Sequence, residues 1–255
     1  MCLIFISLNN HPRYKLILAG NRDEFYKRKT AAAHFWEDHP HIVGGRDLEA
    51  NGSWLAMSKQ GKLSMVTNYR DLKNLKPVAP SRGELVSEYL VNGDKPEDYL
   101  NAVAEKANAY NGFNLLVGYP DALYYYSNYQ GNIQKLTEGV HGLSNHLLNT
   151  PWPKVTRGKE KFSQAIATHK VDPENLFSLL YDEERAPDNK LPDTGIGLDR
   201  ERVLSSMFIK SPDYGSRCST VILVDHNNRV LFTERVYNTN TFDYQDAVFE
   251  FTIPG

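Results

Sequence analysis

Residues 1–25 read MCLIFISLNNHPRYKLILAGNRDEF. Two β-rich runs, 2–8 and 14–20, flank the polar cluster Asn9-Asn10-His11-Pro12-Arg13, and that spacing predicts an antiparallel hairpin. The open end of such a hairpin carries Cys2 on one strand and Asn21-Arg22-Asp23-Glu24 after the other, so pairing brings them together. Aminopeptidases clear Met when the next side chain is small, so removal of Met1 would make Cys2 the first residue. A free α-amine titrates near ~7.7–8.0. One carbon would then bear a thiol and a base suited to neutral pH, a self-contained nucleophile–base pair. Without its neighbours, Cys2 reads as a small buried strand residue, and 21–24 as a solvated turn that closes the second strand. With the hairpin, Asp23 can orient the α-ammonium, and Arg22 can hold an anionic substrate group or a developing oxyanion. Asn21 and Glu24 join Arg22 as candidate substrate-binding residues.

Outward from the hairpin, short strands are predicted at 42–46, 53–58 and 62–67, then a helix from about Ser81 with Leu85, Val86, Tyr89 and Leu90 at helical spacing. A second amphipathic helix follows over 96–110, strands at 113–118, 123–127 and 133–136, and helices at 153–168 and 173–181. Residues 183–197 read as a long polar surface loop, and 220–224 with 230–236 as a last hairpin about Asn227-Asn228. Blocks of strands alternate with blocks of helices. That order predicts an α+β fold of mainly antiparallel sheets with segregated helical layers, in a single domain over 1–255.

Composition excludes several classes. The net charge of −2 is no basis for a dedicated nucleic-acid binder. Two cysteines cannot form a disulfide scaffold, so a reducing, cytoplasmic setting is expected. Leu3-Ile4-Phe5-Ile6 is too short and lacks the basic flank of a signal peptide. No run approaches the roughly 18 apolar residues of a membrane span, so no integral membrane contact is expected. No glycine-rich phosphate loop follows a strand, and no cofactor is expected. His34, His39 and His41 match no zinc spacing, so no metal site is assigned there. Cys218 reads as a packed thiol, and Trp54 and Trp152 as core or pocket wall.

Three later segments repeat one pattern, a β run ending in Asn or Arg beside small residues: Met65 to Arg70, Gly142 to Asn145, and Tyr214 to Ser219. An Asn at a strand end either caps a turn or donates to a tetrahedral oxyanion. Arg70, Lys73, Lys76 and Arg82 face only Asp71 across 70–82, which suits a solvated loop or a basic rim for an anionic ligand.

In order along the chain stand MCLI, AGNRDEFY, GGRDLEANGSWLAMS, VTNYR, SRGELV, GFNLLVG, LSNHLLNTPWPKV, LPDTG, LSSMFI and YGSRCST. This set closely resembles the NRDE-motif family, also called the transport and Golgi organisation protein 2 family, nearly end to end. That family in turn resembles the N-terminal-nucleophile hydrolases, nearest the choloylglycine hydrolase and penicillin acylase group. The resemblance implies a four-layer αββα sandwich and action on non-peptide amides. It places the nucleophile on Cys2, an acid on Asp23, oxyanion or framework residues on Asn68 and Asn145, and a supporting arginine on Arg217. An arginine that the group carries three residues before its acid falls here on Gly20. Two functions follow as expectations. One is an amidohydrolase or acyltransferase acting on an amide or acyl thioester. The other is a carrier for haem or an anionic acyl-CoA or lipid-type ligand, since the family's eukaryotic members have been linked to haem trafficking, acyl-lipid metabolism and Golgi organisation. In either case the partner is a small molecule held by Arg22, Arg70, Arg82 and their neighbours.

Overall fold

The structure is a computed structural model and describes residues 2–254. Removal of Met1 concerns a residue outside the described ones. Strands β1 (Cys2–Leu8) and β2 (Tyr14–Phe25) form the expected hairpin, with Cys2 opposite Arg22 and Leu8 opposite Leu16. The motif is not a turn. β2 runs through Asn21-Arg22-Asp23-Glu24 because β11 (Tyr214–Asp225) pairs with its other edge as far as Phe25. Through Arg22 the strand has a neighbour on each side, beyond it β11 alone continues the pairing, and Asn21, Arg22 and Asp23 are buried.

The hairpin belongs to a six-stranded antiparallel sheet in the order β10-β1-β2-β11-β12-β13, where β10 is Gly139–Leu143, β12 is Arg229–Tyr237 and β13 is Tyr244–Thr252. A seven-stranded antiparallel sheet follows sequence order: β3 (Thr30–Phe35), β4 (Ile42–Asp47), β5 (Leu55–Ser58), β6 (Leu63–Asn68), β7 (Phe113–Tyr119), β8 (Ala122–Ser127) and β9 (Ile133–Lys135). Strand alternation then sorts the side chains into layers. β1 sends Cys2, Ile4, Ile6 and Leu8 into the space between the sheets, where they meet Met65 and Leu116 of the second sheet. Its Leu3 and Phe5 point the other way, under helices α3 (Pro153–Ala165) and α4 (Pro173–Leu180). Helices α1 (Gly83–Val91) and α2 (Pro96–Lys106) cover the outer face of the seven-stranded sheet around Tyr89, Leu100 and Phe113. The result is the expected αββα sandwich. Each fully buried leucine in it contributes about 1.5–3 kcal/mol.

Glycine sets one close approach. A Cβ on Gly158 of α3 would sit 2.0 Å from the Phe5 ring, so only a bare backbone lets the helix lie on β1 at this depth. Strands β3 and β13 go beyond the expectations, and β10 starts ahead of the β run expected from Gly142. β3 has one buried side chain, β10 contains two glycines, and β13 is mostly exposed, so none shows a strong buried alternation. The polar stretch after α4 is a surface loop as expected. It then enters an unforeseen short helix, α5 (Leu198–Val203), whose Glu201 reaches inward to Arg70 at 2.8 Å. Among the described residues no helix is long and apolar enough to cross a membrane.

Candidate active site

Antiparallel connectivity puts the start of β1, the end of β2, the start of β11 and the end of β12 at one end of the first sheet. There the two sheets enclose a cavity of about 560 Å³. Its floor is a row across three strands. Arg22 stands opposite Cys2 on one side and opposite Cys218 on the other, so all three side chains share the inter-sheet face. Cys2, Arg22 and Cys218 all line the cavity. Both cysteines are free and buried. With a strand between them their Cα atoms are about 9.5 Å apart, beyond the roughly 6.8 Å that a disulfide can span. Burial pushes the Cys2 thiol up to about 11 and raises that of Cys218 as well.

The other face of β2 carries Asn21 and Asp23. Asn21 donates to the carbonyls of Leu180 and Met207 at 2.8 and 2.9 Å and accepts from the Ser219 hydroxyl at 2.6 Å. It therefore anchors the helical layer and does not face the cavity, which corrects its assignment to substrate. Asp23 lies at the very end of the sheet and also lines the cavity. It accepts from the Ser216 hydroxyl at 2.6 Å, and burial raises its carboxyl above the ordinary range against the pull of the Lys154 ammonium. Lys154, in the first turn of α3, is 2% exposed and makes no hydrogen bond through Nζ among the described residues. Burial holds it down to about 8, with Asp23 working in the opposite direction. Arg70, expected to touch substrate, is instead buried against Glu201 and stacked over the Trp152 ring at 4.9 Å. It does not line the cavity.

The roof comes from the second sheet. Asn68 ends β6 and lines the cavity, and among the described residues its side-chain amide makes no hydrogen bond. Its backbone carbonyl accepts from the Asn145 Nδ2 at 3.1 Å, while the Asn145 Oδ1 accepts from Ser144 at 3.2 Å. Asn145 is fully buried and off the cavity wall, whereas Asn68 faces the cavity. The wall beside Asn68 depends on two glycines. A Cβ on Gly52 would come within 2.5 Å of the Gly83 backbone, so the bare pair lets the start of α1 close on the β4–β5 connection and brings Arg82 to the cavity.

Arginine dominates the lining. Arg28 is paired with Asp47 at 2.6 Å, Arg46 with Asp38 at 2.9 Å, and Arg22 loosely with Glu24 at 3.8 Å. Arg82 and Arg217 have no carboxylate at ion-pair distance among the described residues and donate to main-chain carbonyls instead. Glu234 also faces the cavity. It accepts from the Ala33 N–H at 2.7 Å, and burial pushes its carboxyl up toward the neutral form.

Of the sequence-derived candidates, the structure gathers Cys2, Arg22, Asp23, Glu24, Asn68, Arg82 and Arg217 around one cavity. Asn145 stands behind it, and Asn21 and Arg70 are turned away. Arg217 occupies a bulge in β11, and its Nη1 ties down the carbonyls of Phe25 and Tyr26 at 3.1 and 3.0 Å, so it supports the mouth. Gly20 has no room for a side chain, since a Cβ would lie 2.9 Å from the Leu3 carbonyl oxygen. The arginine beside the cysteine is Arg22, reached by register. Lys154 and Glu234 were not assigned from sequence; Trp54 stands in the wall, one of the two places expected for it, and its indole N–H has no hydrogen-bond partner among the described residues. Lys154 stands in the quoted NTPWPKV segment, but a lysine in a first helical turn carries no mark of burial.

Two antiparallel sheets between helical layers, with a cysteine at the start of the first strand facing the cavity, define an N-terminal-nucleophile-hydrolase fold. Solved structures share it, among them the following two. One is a Caenorhabditis elegans N-acylethanolamine-hydrolyzing acid amidase ortholog, with a TM-score of 0.50, 10% identity, and 87% and 92% of the two chains covered. The other is the C2A mutant of a conjugated bile acid hydrolase from Clostridium perfringens, with a TM-score of 0.52, 7% identity, and 100% and 97% covered. The chain itself belongs to the Transport and Golgi organisation 2 family, whose sequence profile matches residues 1–239. It is 37% identical to the human Transport and Golgi organization protein 2 homolog over 99% of both chains. It is 31% identical to the Drosophila melanogaster protein over 92% and 91%.

Proposed function

We propose that the protein is an N-terminal-cysteine amidohydrolase or acyltransferase acting on a small anionic acyl conjugate. The observation that carries this reading is the Cys2–Arg22 pair, a thiol and a guanidinium side by side on the floor of an arginine-lined cavity. After loss of Met1, the Cys2 sulfur attacks the substrate carbonyl carbon and the thiol proton passes to the residue's own α-amine. Asp23 holds the resulting ammonium. The Asn68 amide donates to the oxyanion. The C–N or C–S bond breaks as the ammonium returns the proton to the leaving group, and the Cys2 thioester remains. Water or a second acceptor then releases the acyl group and regenerates thiol and amine. The fold neighbours' own names, an N-acylethanolamine-hydrolyzing amidase and a conjugated bile acid hydrolase, describe hydrolysis of this general kind. Two free buried thiols suit a reducing, cytoplasmic setting. The test is turnover of acyl amides and acyl thioesters. Cys2→Ala is expected to abolish it, and equal turnover in the wild type and Cys2→Ala sinks the mechanism.

A second reading, a carrier on the same scaffold, rests on the thiol itself. With its pKa pushed up to about 11, Cys2 is protonated at neutral pH while the guanidinium groups still attract an anion. Titration with haem and acyl-CoA separates the two readings. Tight binding that survives Cys2→Ala and fails in Arg22→Ala, without turnover, establishes the carrier.

A further inference from the structure

The connections at the cavity end of the sandwich differ from the rest of the surface. Thr30 opposite Asp47 marks the cavity end of β3 and β4, and Asn68 marks that end of β6. Three connections therefore leave from the same rim: 26–29, 48–54 and 69–82. Each is flanked by cavity-lining residues, namely Glu24, Thr30, Asp47, Ser53, Asn68 and Arg82. Leu48 N–H donates to the Lys29 carbonyl at 3.0 Å, which ties the first two together.

Five of the eleven large apolar residues that stand exposed among the described residues belong to this rim. They are Phe25 at 52%, Leu48 at 55%, Leu72 at 44%, Leu75 at 52% and Val78 at 92% exposed. Interleaved with them are Lys27, Lys29 and Lys73, all exposed, in a chain whose net charge is −2. No ion pair among the described residues engages these three lysines. Leucine and valine in water beside free lysines are the pattern of a surface that enters the headgroup region of an anionic bilayer, apolar tips inserting while the ammonium groups meet lipid phosphate.

We propose that the cavity rim is a peripheral docking surface for an anionic lipid membrane, which brings the cavity mouth against the bilayer. The fit is one of charge and of position. The exposed apolar residues and free lysines share the one end of the sandwich that opens to the arginine-lined cavity. The inference stands apart from turnover, because docking needs no reaction at Cys2.

The experiment is flotation of the purified full chain with phosphatidylcholine vesicles, with and without phosphatidylserine, at low and high salt. Binding is expected only with phosphatidylserine, and salt is expected to weaken it. Removing Lys27 or Lys73 as Lys27→Ala or Lys73→Ala should weaken it about fivefold each. The double variant Leu75→Glu/Val78→Glu should abolish it while circular dichroism and the melting transition stay unchanged. Tyr119→Ser serves as control, because this exposed aromatic follows Gly118, which pairs with Leu63 at the opposite end of the seven-stranded sheet. It should bind like the wild type. Equal binding to neutral vesicles, no binding at all, or equal loss in Tyr119→Ser overturns the proposal. So does self-association that Val78→Glu abolishes in a chain that ignores vesicles. The lysine variants keep the test decisive if the glutamate variant misfolds.

Discussion

The two halves of β2 are both largely buried, the second opening to solvent only at Glu24 and Phe25, and they have opposite chemistry. From Tyr14 to Ala19 the strand is almost wholly apolar, with Leu16 and Leu18 between the sheets and Ile17 and Ala19 under the helices. From Asn21 to Glu24 the same two faces carry a guanidinium, carboxyls and an amide. The apolar half stabilises the fold by area removed from water. The polar half has to satisfy each group one by one, through Ser216, Ser219 and the Leu180 and Met207 carbonyls. Buried charge of this kind contributes little net stability. Its position at the cavity is what makes it the candidate site.

The comparison can be broken most sharply through Cys2. In chains that retain Met1, the rate of Cys2 alkylation should rise about tenfold per pH unit, because only the thiolate reacts and its fraction grows by that factor below the pKa. The inflection should fall near about 11. A profile that levels off near the ordinary 9.0 would show that burial does not govern this end of the sheet. In the apolar half, Leu18→Ala should cost about 2–5 kcal/mol of stability in urea unfolding and leave ligand affinity unchanged. At the roof of the polar half, Asn68→Ala should remove about 2.7–4 kcal/mol of transition-state stabilisation and leave a small residual turnover, with the urea midpoint little changed. Asn21→Ala tests whether a motif residue can be purely structural. Losing both donations should cost about 1–3 kcal/mol of stability with ligand affinity intact, and a selective loss of affinity would return Asn21 to the site.

The legible parts of the fold were those with a period. The β1–β2 hairpin, the strands about Met57 and Met65, and the α1 stripe of Leu85, Val86, Tyr89 and Leu90 follow from spacing alone. β3, β13 and the first half of β10 were missed because an edge or glycine-containing strand buries too little for its alternation to show. Within the site, the quoted motifs marked Cys2, Asp23, Asn68 and Arg82, but not the direction in which each points. Four polar residues in a row look like a turn unless β11 is known to pair beside them, and that pairing joins residues about two hundred positions apart in the chain. The same long-range register decides that Arg22 faces the cysteine and Asn21 does not. Arg70 was misread for a related reason. Its partner Glu201 sits on a six-residue helix inside a loop that no periodicity reveals.

The central claim is that Cys2 works as an N-terminal nucleophile at the polar end of this sheet. Intact-mass spectrometry of the protein isolated from its own cells tests it most directly. The account predicts a mass lacking one methionine residue, and a further acyl increment on Cys2 when a slowly released acyl thioester is added. A mass that retains Met1 would leave the Cys2 nitrogen in an amide, unable to accept the thiol proton, and would contradict the account.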